Sequence, residues 1–289
     1  MDGVVVESTY NWYWLVDGLQ KHGYLVHLAN PSAVKQYEGL KYTDDRWDSF
    51  WLAHMKRLNI LPEGYIYPKK QRSVRDLLRR RVLFVHQRTS QILSLQSMIT
   101  RNLGTRISAG AMKKLTDEDI DRMFEVNQAF MARNHLSTID FLHKTILSIE
   151  KQVLAQVRLK KEFSLLQTIP GIGKILALTI MLEVGDISRF KKVGHFSSYC
   201  RCVKSEKTSN KKKKGENNKK NGNKFLSWAY VEAANFARRY SQKARRFFQR
   251  KKAKRNGTVA TKALSNKVCR AAYYIMRDQT QYDEDRLFC

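Results

Sequence analysis

Two stretches in the middle of the chain carry apolar residues at helical spacing, and they restrict the fold more than any other feature. The first runs from Leu78 to Ile99. The second begins near Thr116, whose Thr-Asp-Glu-Asp sequence resembles a capping box at a helix start. Its later apolar residues lie alternately three and four positions apart, at Ile139, Leu142, Ile146, Ile149 and Val153. This spacing predicts two long helices in an antiparallel hairpin, with a coiled-coil seam as the alternative.

The chain before this hairpin has the pattern of a small α/β unit. The run Val4–Val6 predicts a buried strand, residues 12–23 have helical spacing that ends at a glycine, and residues 24–29 predict a second strand. Two strands joined by a helix suggest a βαβ unit of a larger sheet. A further helix is predicted between Tyr42 and Asn59, and the breaker segment 61–68 follows it.

The chain after the hairpin is predicted to be α-helical. It opens with the turn Pro170-Gly-Ile-Gly between two apolar helical stretches, which is the form of a helix-hairpin-helix. In such a turn Gly171 and Gly173 let the backbone approach a phosphate, and Lys174 opens the second helix. A simple helix turn is the alternative.

The predicted fold is therefore mostly α, in three parts. Residues 1–68 form a partial α/β domain, residues 69–164 form a long helical or coiled-coil segment, and residues 165–289 form a C-terminal α-helical domain that contains the helix-hairpin-helix.

The positive charge of the chain indicates a polyanionic partner. The sequence has 54 Lys and Arg against 26 Asp and Glu, a formal net charge of +28. Residues 199–289 hold 25 basic against 7 acidic residues, a net charge of +18. Such an excess repels itself unless something negative lies against it, and the phosphate backbone of nucleic acid is the commonest such partner. We therefore expect binding of nucleic acid, with an unusually basic but otherwise ordinary enzyme as the alternative.

Cysteine usage and hydropathy predict a soluble, intracellular protein. Four cysteines in a chain of 289 residues do not form a disulfide framework, and no secretory signal precedes them. Cys200 and Cys202 lack a second Cys or His pair at zinc-ligand spacing, so a metal site there is not favoured. The longest apolar run, around residues 175–184, is too short to cross a bilayer, so no membrane partner is expected.

Residues 203–224 form a polar, cationic segment with several glycines, which predicts a flexible loop that orders on a phosphodiester backbone. Its Ser205 and Ser209 are hydroxyls in electropositive surroundings, which suits a nucleophile that attacks phosphorus. Ordinary loop serines are the alternative. Together with the Pro170 turn, this segment supplies the predicted DNA contacts: Gly171, Gly173, Lys174, Lys211, Lys212, Lys213, Lys214, Lys219, Lys220 and Asn223.

A group of acidic residues near the N-terminus is the candidate metal site. Glu7 closes the first predicted strand, and Asp45 and Asp48 lie three residues apart on one helix face, where Asp44 could also join Asp48. Three carboxylates in a basic protein are what one or two magnesium ions need to stabilise phosphoryl transfer. Exposed acids paired with Arg46 or Lys41 are the alternative.

Taken in order, these segments resemble the DEDD transposases of bacterial insertion sequences. The N-terminal part is similar to the second half of their RuvC-like, ribonuclease-H-fold domain, and the C-terminal part is similar to their transposase domain. The similar segments are Val4-Val-Val-Glu-Ser-Thr-Tyr, Asp45-Arg-Trp-Asp-Ser, Pro170-Gly-Ile-Gly, Glu183-Val-Gly-Asp-Ile-Ser-Arg-Phe, Gly222-Asn and Val231-Glu-Ala-Ala. The resemblance covers nearly the whole chain.

The resemblance implies roles for the candidate residues. Glu7, Asp45 and Asp48 correspond to the last three acids of the DEDD motif and would bind Mg2+ or another divalent metal. Ser209 corresponds to the serine that is the candidate nucleophile for DNA cleavage and strand exchange. Asn210 stands where the family usually has glycine, so Ser205 remains the alternative for this position.

The resemblance also implies partners and a setting. Members of the family recombine DNA under the guidance of a non-coding RNA, so we expect DNA and a structured RNA as partners. We also expect a homo-oligomer, dimer or tetramer, in the bacterial cytoplasm and associated with the nucleoid.

The beginning of the chain departs from the family pattern. The first aspartate of the motif should lie several strands before the glutamate, yet only six residues precede Glu7. The sequence therefore looks like a transposase without its N-terminal strands, and a two-stranded sheet is expected to be poorly stable alone. The competing hypothesis is a catalytically inactive module that binds DNA or RNA and dimerises through its long helices.

Overall fold

A small parallel sheet forms the start of the chain. The computed structural model describes residues 3–9, 11–34, 44–112, 114–157, 161–215 and 221–288, without the side chains of Lys207 and Lys213. Strand β1 (Val4–Glu7) pairs in parallel with β2 (Val26–Ala29), and helix α1 (Tyr13–Lys21) connects them. The predicted βαβ unit is confirmed.

The N-terminal unit buries little apolar surface. Val6, Val16, Val26 and Leu28 form one small core, and Ala29, Val34, Leu52 and Met55 form another. By contrast, Trp14 is 73% exposed, and other large apolar side chains nearby are also open to solvent. A sheet of only two strands is too narrow to support one large core, so the unit has two small ones.

Helix α2 (Asp45–Arg57) follows the sheet and packs against β1. The carboxylate of Asp44 caps it by accepting a hydrogen bond from the backbone N–H of Trp47 over 2.7 Å. The predicted start of this helix at Tyr42 lies outside the described residues. The breaker segment then returns to β2, where the N–H of Gly64 donates to the carbonyl of Leu28.

The predicted antiparallel hairpin consists of α3 (Lys69–Leu103) and α6 (Val126–Gln156), which pack along each other. All five apolar residues at the predicted spacing on α6 are buried. Arg81 of α3 and Glu150 of α6 form an ion pair across the hairpin at 2.7 Å. The start of α3 also holds the N-terminal unit, since Arg72 donates to Asp17 of α1 over 2.7 Å.

The second long helix does not begin at Thr116 as predicted. Thr116 does form a capping box with Asp119, but it caps only the short helix α5 (Asp117–Met123), which the turn of helix α4 (Ala109–Met112) precedes. The backbone is extended at Phe124 and Glu125, and α6 begins after them. Phe124 is buried in the core at this end of the hairpin, so tertiary packing rather than a glycine or proline breaks the helix.

One core joins the C-terminal helices to the base of the hairpin. It contains Val74 and Leu78 of α3 and Ile149 and Val153 of α6. The remaining helices of this region are α7 (Lys161–Leu166), α8 (Lys174–Val184), α9 (Val193–Tyr199), α10 (Lys224–Tyr240), α11 (Gln242–Lys254), α12 (Gly257–Asp278) and α13 (Glu284–Phe288). In the described part of the chain, no helix is both long and apolar enough to cross a bilayer.

The basic segment is not simply a loop. Strand β3 (Lys207–Ser209) pairs antiparallel with β4 (Lys212–Gly215), so its first half forms a hairpin. Asn210 and Lys211 make the two-residue turn with positive φ angles of 49° and 61°. Asn tolerates this left-handed conformation, and such turns match the twist of paired strands. The prediction of a flexible loop was therefore wrong for residues 207–215.

Candidate active site and nucleic-acid interface

The three predicted acidic residues lie near one another. Glu7 ends β1, and Asp45 and Asp48 lie in the first turn of α2, which packs against that strand. Burial raises the pKa of Glu7, and the negative charges of Asp48 and Asp45 raise it further. The start of a helix favours acidic side chains, since the free N–H groups of its first turn carry partial positive charge. Local structure thus gathers three carboxylates that repel one another.

The unpaired oxygen of Asp48 is the feature of this cluster that fits a cation. Its Oδ1 atom is buried and has no hydrogen-bond partner among the described residues, and no ion pair within them holds Asp45 or Asp48. The predicted alternative of a pair with Arg46 is thus not seen, and Lys41 lies outside the description. Asp44 is occupied as the helix cap. Carboxylate oxygens are the ligands that Mg2+ prefers.

The same cluster is not a finished metal site. In the described residues, no three His, Cys, Asp or Glu side chains are arranged so that they could hold a metal ion together. The donor chemistry of Glu7, Asp45 and Asp48 therefore fits a divalent cation, whereas their placement does not complete its coordination.

The two candidate nucleophiles lie on or beside the β3–β4 hairpin. Ser209 ends β3, is exposed, and pairs with Lys212 in the strand register. Ser205 is half-buried just before β3, next to the ion pair of Lys204 with Glu206. Lys211, Lys212 and Lys214 are exposed around Ser209, while Lys219 and Lys220 lie outside the described residues. The convergence of Ser209 with the carboxylates on one phosphate stays a prediction.

The two glycines of the Pro170 turn have different surroundings. Gly171 has a positive φ of 96°, and a Cβ atom there would lie 2.5 Å from the carbonyl oxygen of Ala233 in α10. Glycine is thus required at this position by contact with another helix of the same chain. Gly173 is the N-cap residue just before α8, and a Cβ atom there would meet no other atom within 4 Å. Of the two, Gly173 is the one that leaves room for a phosphate.

Asn223 has an internal role in the structure. Its Oδ1 accepts hydrogen bonds from the N–H groups of Phe225 and Leu226 and so caps α10. Its Nδ2 donates to the buried carboxylate of Glu183 over 2.7 Å. The preceding Gly222 lies against the carbonyl of Tyr199, where a Cβ atom would clash. The Gly222-Asn223 pair therefore joins α9, α8 and α10, and the Asn223 side chain makes its hydrogen bonds within these contacts.

Helix α11 is a cationic surface that the sequence reasoning did not single out. It carries seven Lys and Arg and no acid, and all seven are exposed. Lys243, Arg246, Arg250 and Lys254 share one face by their spacing. The opposite face buries Ala244 and Phe248 in the core. In the sequence, this surface is recognisable as a run of thirteen residues with seven basic and no acidic members.

The three described cysteines are core residues. Cys200, Cys202 and Cys269 are free and buried. Burial raises the pKa of the Cys200 and Cys269 thiols, and a hydrogen bond with Cys269 followed by burial raises that of Cys202. These thiols therefore remain protonated and serve packing.

Comparison with known proteins finds similarity to transposases in two parts of the chain. Residues 163–249 match the model described as Transposase IS116/IS110/IS902 family. Residues 3–102 match the transposase model of the DEDD transposases of IS110. Each of the two ranges is thus similar to transposases of the IS110 family.

Two curated relatives agree with these matches. An uncharacterised 43.6 kDa protein of the insertion element IS110 from Streptomyces coelicolor is 24% identical over 148 residues, which is 51% of this chain and 36% of that protein. The transposase for insertion sequence element IS1111A from Coxiella burnetii is 22% identical over 231 residues, 78% of this chain and 62% of that protein. The chain thus spans less than two thirds of each relative.

The two IS110-family matches contain the candidate site residues. Glu7, Asp45 and Asp48 lie in the first matched range, and the Pro170 turn and Ser209 lie in the second. The second also includes most of α11, which ends five residues beyond it. Helix α6 falls between the two ranges, so the second helix of the hairpin lies outside both matches.

Proposed function

We propose that the chain is part of a transposase that cleaves and rejoins DNA to move an insertion sequence. The observation that carries this proposal is that Asp45 and Asp48 lie in the first turn of α2, which packs against the strand that ends at Glu7. The range in which these acids lie is similar to the DEDD transposases. Like charges gathered at a helix start cost free energy, and a site that binds a cation during phosphoryl transfer gives a reason for them.

Glu7, Asp45 and Asp48 would hold a divalent metal ion, with Mg2+ the expected one. When bound, such an ion supplies charge stabilisation for a transferring phosphoryl group and positions it. A bound cation would supply the partner that the buried Oδ1 of Asp48 lacks, and it would favour the charged form of Glu7, whose pKa is raised by burial and by the two aspartates.

Ser209 would attack the scissile phosphate through its hydroxyl oxygen. Its exposure leaves the hydroxyl free to meet DNA, and the lysines beside it attract the phosphate. The two-residue turn at Asn210-Lys211 follows Ser209 directly. A hairpin that carries the nucleophile would move as a unit when DNA binds.

Binding of DNA would be spread over several cationic elements. Lys174 and Gly173 at the start of α8, the hairpin lysines and the exposed face of α11 would contact phosphates without reading bases. A non-coding guide RNA and a further copy of the chain are also proposed as partners, on the family resemblance together with the net charge of +28.

The second candidate function is a binding module without chemistry. It is favoured by the absence, in the described ranges, of any three side chains arranged to hold a metal, and by the small cores of the N-terminal unit. Such a binding module would bind nucleic acid through the same cationic surfaces without cleaving it.

Cleavage of insertion-element end DNA by the full chain, with Mg2+ present, tests the proposal. We expect nicking by the wild-type chain, none by Ser209→Ala, and full activity in the Ser205→Ala control. Filter binding should show equal DNA affinity for all three. Equal cleavage by Ser209→Ala would exclude that serine, and DNA binding without any cleavage by the wild-type chain would favour the binding module.

A further inference from the structure

An open groove lies beside the Pro170 turn, on the surface of the C-terminal core. It has a volume of about 530 Å3. Pro170, Gly173 and Lys174 line one side, and Phe236 and Tyr240 from the last two turns of α10 line the other. Ligand pockets commonly have volumes of about 300–1,000 Å3, so the groove has room for a small group such as a nucleotide.

The aromatic side of this groove is not used by the core. Tyr240 is 73% exposed and Phe236 is 36% exposed, whereas Ala233 and Ala237 on the neighbouring face of α10 are buried. The two rings lie one helical turn apart and nearly parallel, with an interplanar angle of 11° and a centroid distance of 6.4 Å. An exposed tyrosine on a helix surface is a flat platform on which a second planar group can stack.

The charges around the groove are positive on both sides. Lys174 is exposed on the turn, and Arg239 lies over the ring of Phe236 at 5.4 Å from its centroid. Neither makes an ion pair within the described residues. Cations beside exposed aromatic rings are the combination by which proteins hold unpaired nucleotides, since bases stack on the rings and phosphates meet the cations.

We propose that this groove binds an unpaired nucleotide segment, with a base stacked on Tyr240 and the adjoining phosphates held by Lys174 and Arg239. A duplex would not fill it, because paired and stacked bases do not present their faces. The proposal rests on the proposed function only in taking nucleic acid as the partner. It does not depend on the acidic cluster or on Ser209.

Fluorescence anisotropy with the full chain tests this groove. The probes are labelled oligo-dT, labelled oligo-U and a labelled duplex, and the variants are Tyr240→Ala and Tyr240→Phe. The matched control is Phe141→Ala, which removes another exposed ring, 65% exposed on α6. We expect Tyr240→Ala to weaken binding of an unpaired probe about tenfold, the loss of one base–ring stack, and to leave duplex binding unchanged.

Tyr240→Phe should bind like the wild-type chain, because stacking needs the ring and not the hydroxyl. If Tyr240→Ala loses affinity only for oligo-dT, the groove binds DNA. If it loses affinity only for oligo-U, the groove binds RNA. Unchanged binding of both probes by Tyr240→Ala would overturn the proposal, as would an equal loss for the duplex. A changed oligomeric state without a change in oligonucleotide affinity would overturn it too and would mark the rings as a protein contact. Failure of the groove leaves DNA cleavage by the full chain intact, so the two failures are distinguishable.

Discussion

Arg79 of α3 and Glu183 of α8 form a two-hydrogen-bond ion pair that links the helical hairpin to the C-terminal core. The Nε and Nη2 atoms of Arg79 donate to the two carboxylate oxygens of Glu183 over 2.6 and 2.8 Å. Glu183 is buried, and the amide of Asn223 completes its partners. The pair therefore connects the base of the hairpin to the cap of α10.

Replacement of Glu183 by Ala should destabilise the protein by about 2–3 kcal/mol, because it leaves Arg79 and the Nδ2 of Asn223 without their acceptor. Glu183→Gln should cost less, since its amide oxygen still accepts one hydrogen bond. Urea unfolding measures both values. The control is Asp140→Ala, which removes an exposed ion pair to Lys144 and should change stability by less than about 0.5 kcal/mol. Similar losses for Glu183→Ala and the control would contradict this role.

Gly171 and Gly173 should respond differently to the same substitution. Gly171→Ala should cost about 2–4 kcal/mol, because the new Cβ meets the backbone of α10 and the φ of 96° is strained for alanine. Gly173→Ala should cost no more than about 1 kcal/mol and should instead weaken binding of nucleic acid, since it fills the open side of the turn. Thermal unfolding and duplex binding measure the two effects. A Gly171→Ala protein as stable as the wild-type chain would contradict the close contact between Gly171 and α10.

The raised pKa of Glu7 predicts how stability depends on pH. Because the native state binds this proton more tightly than the unfolded state, whose value is about 4.5, stability should fall as pH rises from that value through the raised native pKa. Glu7→Gln should remove this part of the pH dependence and raise the melting temperature at neutral pH. Melting curves from pH 4 to pH 8 provide the test. A neutral-pH loss of stability in Glu7→Gln would mean that the carboxylate has a stabilising partner.

The face of α11 should bind phosphates of the DNA backbone. Arg246→Ala together with Arg250→Ala should reduce the slope of log affinity against log salt by about 2, since each arginine that neutralises a phosphate accounts for about one unit of that slope. The control removes the same charge elsewhere through Arg122→Ala and Lys144→Ala, two residues on α5 and α6 whose side chains are 76% and 75% exposed. Duplex binding at several salt concentrations gives the slopes. Equal slopes for the two double variants would assign the effect to net charge alone.

Local patterns in the sequence were sufficient to predict the helical hairpin and the βαβ unit. These patterns are the 3-4 spacing on α6 and the valine run of β1. Each reflects one buried face and involves only residues that are close in sequence, so it can be read from the sequence alone. The break at Phe124 depends on distant packing partners and was not predictable in this way. The β3–β4 hairpin has a polar, lysine-rich sequence without alternating apolar residues, so the sequence pattern did not predict its strands.

The candidate site shows a similar division. Asp45 and Asp48 share a helix face by spacing, but their approach to Glu7 depends on how α2 packs on β1. The internal contacts of Gly171 and Asn223 were not visible in the sequence, because they depend on how other helices pack around these residues.

Mn2+ binding to the full chain, followed by electron paramagnetic resonance, tests the acidic cluster most directly. We predict that the wild-type chain binds Mn2+, that Asp48→Asn loses this binding, and that the Asp140→Asn control retains it, since Asp140 is an exposed acid paired with Lys144. Equal Mn2+ binding by Asp48→Asn and the wild-type chain would contradict a metal site at Glu7, Asp45 and Asp48.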